Sequence, residues 1–253
     1  MMELSFQGFL IFTISLVFLL TVQRLLHREL QAVFLLLTQR PSLAIGLFSL
    51  ILFPGVFIHE FSHWLMAVIL RVPVRNVSLL PQTQKDGKLR LGFVETRQTD
   101  YFRDSMIGLA PFISGIIITA LIGLYRLNLF PLIDAIMQFN LDLFSTLLLK
   151  LPQEPDFGIW FYLGFAVSST MIPSESDRQS WGGLFLGIGV VLVLVLVTGL
   201  GDWMLLNFAP ILNRWLLSIG IILSASVLIH LILLIPTFLL VILFSRILGL
   251  RVV

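Results

Sequence analysis

Six stretches of this chain are apolar over a length that only a bilayer or a very large core could cover. They run at about 6–23, 43–70, 104–125, 157–173, 179–200 and 211–247. A helix rises about 1.5 Å per residue, so roughly 20 apolar residues cross a hydrocarbon core. Helices also satisfy their own backbone polar groups, which lipid cannot do. The composition agrees: 58% of the 253 residues are hydrophobic and 12% are charged, against about 25% charged in soluble domains. The fold class expected is therefore an all-α polytopic membrane protein with about six transmembrane helices, in contact with the lipid bilayer. The opening "MMELSFQGFLIFTISLVFLLTVQ" lacks the basic start and small-residue cleavage site of a secretory signal and reads as a retained span. A net charge of +2 gives no reason to expect a nucleic-acid partner, and the absence of cysteine rules out disulfides and thiolate metal ligands.

Two segments do not read as crossings. The stretch 72–100 is the longest polar one. Asp86-Gly87 is a hairpin turn signal flanked by partly alternating sequence such as "KLRLGFVE", so a short β-hairpin over about 76–97 is expected after the second span. Residues 127–152 are apolar but interrupted by Pro131, Asp134, Asn140 and Asp142, the pattern of an interfacial or re-entrant segment. The excess of Lys and Arg over acids in 71–103 puts the hairpin on the cytoplasmic side of a bacterial-type cell membrane. The connection expected at 24–40, with Arg24, Arg28 and Arg40 against Glu29, conflicts with that assignment.

The chemistry concentrates in "FPGVFIHEFSHWLMAVIL", residues 53–70. Charged groups at the centre of a membrane helix cost about 2.5–3.5 kcal/mol each on insertion scales, so this cluster needs a compensating interaction. His59-Glu60-Phe61-Ser62-His63 is a His-Glu-x-x-His motif. Positions i and i+4 share a helix face, so both imidazoles can reach one ion. Glu60 lies about 100° round the helix from His59, beside that ion and not on it. Two histidines holding Zn2+ and a glutamate acting as general base need this arrangement. His27, among arginines at a span end, reads as interfacial, and His230 in "SVLIHLILL" as an interhelical hydrogen-bonding residue.

A catalytic zinc normally has three protein ligands, and "LMAVIL" after the motif offers none. Carboxylates reappear at the end of the 157–173 span, in "SSTMIPSESDRQSW", on the membrane side toward which the motif helix runs. Asp177 is one candidate ligand and Glu175 the other. Ser174-x-x-Asp177 also reads as a capping box that opens a helix over 175–200.

These features resemble the site-2 protease family of intramembrane zinc metalloproteases (peptidase M50-like): the His-Glu-x-x-His motif within a span, the hairpin after it, "GLAPFISG" at 108–115, and the acidic segment at a later span end. The resemblance covers about residues 43–180. It implies zinc ligated by His59, His63 and Asp177, Glu60 as the base, and a re-entrant β-element that binds the substrate strand. The family's Asp-Gly, often preceded by Asn-Pro, is replaced here by Pro173-Ser174-Glu175-Ser176-Asp177-Arg178, and Ser114 stands near the position of a common Asn. The division expected is an N-terminal span and connection at 1–42, a metalloprotease core at 43–180 and C-terminal transmembrane helices at 181–253. The expected activity is hydrolysis of peptide bonds in or near transmembrane segments of protein substrates. Two other classes use the same residues: a non-catalytic membrane scaffold with a structural metal, and a proton or ion pathway through His59, Glu60 and His63.

Overall fold

The structure, a computed structural model, describes residues 6–79, 81–83 and 89–250. Helix α1 spans Gln7–Thr38 and α2 spans Pro41–Ile69. The 24–40 stretch is thus no loop, and this corrects the sequence reading. No Gly or Pro interrupts the chain between Gly8 and Pro41, and Arg28 folds onto the neighbouring Glu29 carboxylate at 2.6 Å, so the charges are carried on a continuous helix. Only Gln39, left-handed at φ 52°, and Arg40 separate the two helices, with Pro41 pre-set for the first helical position. The conflict in loop charge therefore rested on a loop that does not exist.

The polar stretch after α2 forms two antiparallel pairs. Strand β1, Val74–Ser78, pairs with β4, Phe93–Thr96, with a register shift between Val74 and Asn76. Strand β2, Gln82–Thr83, pairs with β3, Leu89–Arg90. The Asp86-Gly87 turn lies outside the described residues. Helix α3, Tyr101–Tyr125, opens on Asp100, whose carboxylate accepts the Arg103 backbone N–H at 3.0 Å.

Residues 127–152 form α4, Phe130–Met137, and α5, Leu141–Lys150, followed by a 3-10 turn at Leu151–Gln153. Helices of eight and ten residues are too short to cross a hydrocarbon core. Leu127, Leu129 and Leu132 are buried and dock this segment on the same core as Leu52, Val56 and Phe165. Helix α6 spans Phe157–Thr170, α7 spans Trp181–Val197 and α8 spans Gly201–Leu248. The last begins ten residues before the expected 211 and runs through Pro210 and Pro236.

Among the described residues, four helices, α1, α2, α3 and α8, are long and apolar enough to cross a membrane, while α6 and α7 are shorter apolar helices. Many of the large apolar side chains on these helices face outward, including Phe9, Phe18, Phe57 and Phe238. A water-soluble protein would not leave so much apolar surface contiguous. Several polar residues turn inward instead, among them Ser15, Glu60, His63 and Thr119. Helix α1 packs along α8, with Ser15 Oγ 2.8 Å from Ser224 Oγ, and α2 packs between α3 and α6. Gly55 permits a close approach of α2 to α6, because a Cβ there would run into the Ala166 carbonyl.

Candidate metal centre

His59 and His63 stand one turn apart on α2, and each ring is fixed through its inner nitrogen. His59 Nδ1 lies 2.6 Å from the Thr170 carbonyl on α6, and His63 Nδ1 lies 2.8 Å from the Ile107 carbonyl on α3. A carbonyl can only accept, so each Nδ1 carries a hydrogen and each ring turns its Nε2 toward the other. Those two nitrogens face each other at 3.1 Å. Asp177 completes the cluster, with Oδ1 3.3 Å from His63 Nε2 and Oδ2 3.6 Å from His59 Nε2. One ligand atom from each of the three residues lies within 4.8 Å of the others, and this is the only such group among the described residues.

The local geometry suits a cation. Three lone-pair atoms converging in an apolar helix bundle repel one another unless a proton or metal sits between them. Tetrahedral zinc with bonds of about 2.0–2.1 Å separates its ligand atoms by about 3.3 Å, close to the spacings seen here. Both histidines also show the imidazole-to-carbonyl bond typical of the layer behind a metal site. Burial alone would push the Asp177 carboxyl up, but hydrogen bonding and charge from His59 and His63 outweigh it. Its pKa falls below the usual carboxylate range, leaving an anionic donor.

The stretch "GLAPFISG" contributes in a way that residue types alone did not disclose. Pro111 has no backbone N–H, so the Ile107 carbonyl four residues earlier loses its helical donor and is left for His63. Gly108 lets the segment after α6 lie against α3, because a Cβ there would collide with the Asp177 carbonyl. Ser114 Oγ sits 2.6 Å from Ser62 Oγ and ties α3 to the motif helix. Pro111→Ala should restore the intrahelical competitor for Ile107 and weaken zinc binding by about tenfold. Metal titration of the purified variant measures this, and wild-type affinity would remove the proline from the account.

The Ser174–Asp177 segment corrects another expectation. The reciprocal bonds of a capping box are present: Asp177 Oδ2 accepts the Ser174 N–H at 2.7 Å, and Ser174 Oγ accepts the Asp177 N–H at 3.3 Å. No helix starts there. Residues 175–180 form turns, and α7 begins at Trp181. Packing of Asp177 against Gly108 and its reach to the two histidines hold this stretch in turns. Cap and cluster member are therefore one residue.

A cavity of about 610 Å³ opens onto the cluster. His59, Glu60, His63 and Asp177 line it, and so do Glu175, Leu91, Gly92 and Val94, which brings the hairpin to its wall. Glu60 is 6% exposed. It sits beside Gly92, where a Cβ would come 2.9 Å from Glu60 Cγ and 3.1 Å from both Val56 Cγ1 and Ser78 O. Gly92→Ala should therefore displace Glu60 and reduce turnover by about 10- to 100-fold while leaving zinc bound. Parallel metal and rate measurements check this, and an unaltered rate would show that Glu60 has room to move.

His27 is not at a span end as the sequence suggested. It lies within α1, its ring packed edge-on to Phe48 and its atoms part of the cavity wall. His230 is fully buried and joins helices, with Nδ1 2.8 Å from the Ser226 carbonyl and Nε2 3.0 Å from Ser169 Oγ. Comparison with known proteins returned no matching family model, no matching curated protein and no matching solved structure.

Proposed function

We propose that this chain is an intramembrane zinc endopeptidase that hydrolyses peptide bonds in or near transmembrane segments of other proteins. One observation carries the reading: two carbonyl-anchored histidines and an aspartate converge inside an apolar bundle, next to a glutamate in the same cavity. When bound, zinc would polarise the scissile carbonyl and lower the pKa of water to about 7. His59, His63 and Asp177 would hold it. Glu60 would take the proton from the attacking water and pass it to the leaving amine nitrogen.

A substrate helix must unwind before cleavage, because its own hydrogen bonds cover the scissile amide. The β1–β4 pair, whose Val94 and neighbouring Gly92 line the cavity, would keep the unwound strand extended by edge pairing. In this reading α6 and α7 are the two short crossings that bring the number of spans to six, and the hairpin lies on the cytoplasmic side. The purified protein should contain about one zinc per chain, lost in His59→Ala and His63→Ala. Zinc in both variants at the wild-type level would overturn the site. Full zinc binding with no hydrolysis would instead favour the structural-metal scaffold.

A further inference from the structure

The last turn of α6 carries the carbonyl that orients His59, and it is held from behind by two helices, α1 and α8, that contribute none of the three converging donor atoms. Helix ends leave their final carbonyls without internal donors. At this end, the Thr170 carbonyl takes the His59 Nδ1–H at 2.6 Å, and the Ser169 carbonyl takes Gln23 Nε2 from α1, also at 2.6 Å. The amide orientation of Gln23 follows from chemistry, since a carbonyl accepts only from the NH2 group. From α8, His230 donates Nδ1–H to Ser226 O at 2.8 Å, which leaves Nε2 to accept the Ser169 hydroxyl at 3.0 Å. Residue 169 is thereby fixed at both its carbonyl and its side chain, and residue 170 has little freedom to turn away from α2.

We infer that Gln23 and His230 are positioning residues for the metal centre, acting through Ser169 and Thr170 on the orientation of His59. The inference rests on the metal-binding part of the proposed function and needs none of its proteolytic part. Gln23→Met keeps the length of the side chain but removes the donor, so the Ser169 carbonyl loses its partner in the bundle. His230→Leu removes the acceptor, whereas His230→Gln keeps one at similar reach. Asn213→Ala serves as a control. Asn213 also links α1 to α8, by accepting the Gly8 and Phe9 N–H groups, but it does not touch α6 through those bonds.

The test is titration of each purified full-length variant with Zn2+ and Co2+, reading affinity and the visible absorption of the cobalt form. Gln23→Met and His230→Leu should weaken zinc binding by about 3- to 30-fold, less than or near the cost of removing a direct outer-shell partner. They should also change the cobalt spectrum. His230→Gln should return the spectrum toward wild type, and Asn213→Ala should leave it unchanged even if the bundle melts earlier. If both changes lower thermal stability but leave metal affinity and spectrum at wild-type values, the residues are structural only and the inference fails. If Asn213→Ala alters the spectrum as much as they do, the effect is general loosening and the inference also fails. A wild-type protein that binds neither metal would overturn the metal reading itself and this inference with it, a result distinct from the other two.

Discussion

Glu60→Gln should lower peptide hydrolysis by about 10²- to 10⁴-fold, the range that a positioned general base supplies, while the protein keeps its zinc. Gln retains the shape and packing of the side chain but cannot take a proton from water. The residue is almost fully buried on α2 and lines the same cavity as the histidines, yet it is absent from the cluster of converging donor atoms. Metal content and rate should therefore separate in this variant. Loss of stoichiometric zinc would place Glu60 among the ligands, and a near-normal rate would deny it the role of base.

A comparably large effect should attend Asp177→Ala, this time on the metal. Removing a direct ligand should cost more affinity than the roughly 10–100-fold associated with outer-shell partners, and proteolysis should fall with it. Glu175→Ala should keep zinc. Both carboxylates belong to the cavity wall, but the oxygens 3.3 and 3.6 Å from the imidazole nitrogens are those of Asp177. Its short side chain also loses less rotamer freedom on binding than that of glutamate. Ser174→Ala gives a useful intermediate, because it removes one of the two bonds that brace Asp177 from outside. Zinc retained in Asp177→Ala and lost in Glu175→Ala would exchange the two roles.

The sequence was most informative where one helix carries the relevant geometry. His59 and His63 share a face by spacing alone, and the offset of Glu60 follows from the same period. Direction located the 174–178 segment, which ends on the side toward which α2 runs, but left Asp177 and Glu175 open, and only the family resemblance and the shorter side chain favoured Asp177. The third element of the arrangement could not be read in that way. The groups that anchor the imidazoles are the backbone carbonyls of Thr170 and Ile107, and a carbonyl has no residue identity to betray it. Pro111 was the available signal, since a proline inside a helix releases the carbonyl four residues before it, but its consequence depends on which helix lies opposite.

The main misreading in the fold has a physical cause too. Arg24, Arg28 and Glu29 suggested a solvated connection, yet nothing in 9–40 breaks a helix, and the charges sit on α1. Local charge was weighed above helical continuity. The partnership of α1 with α8 joins residues separated by about 200 positions, as between Ser15 and Ser224, and no local pattern predicts such a pairing. The setting of His27, against Phe48 of α2, was hidden in the same way, whereas His230 joins helices as the sequence suggested.

The central claim is cleavage within a bilayer. Its most direct test is to reconstitute the zinc-loaded protein in proteoliposomes with a panel of single-span peptides and locate cuts by mass spectrometry. The account predicts cuts in or next to the hydrophobic segments, abolished by chelation, restored by added zinc and absent with Glu60→Gln. Fully zinc-loaded protein that leaves every peptide of the panel intact, or cuts them equally well with Glu60→Gln, would contradict it.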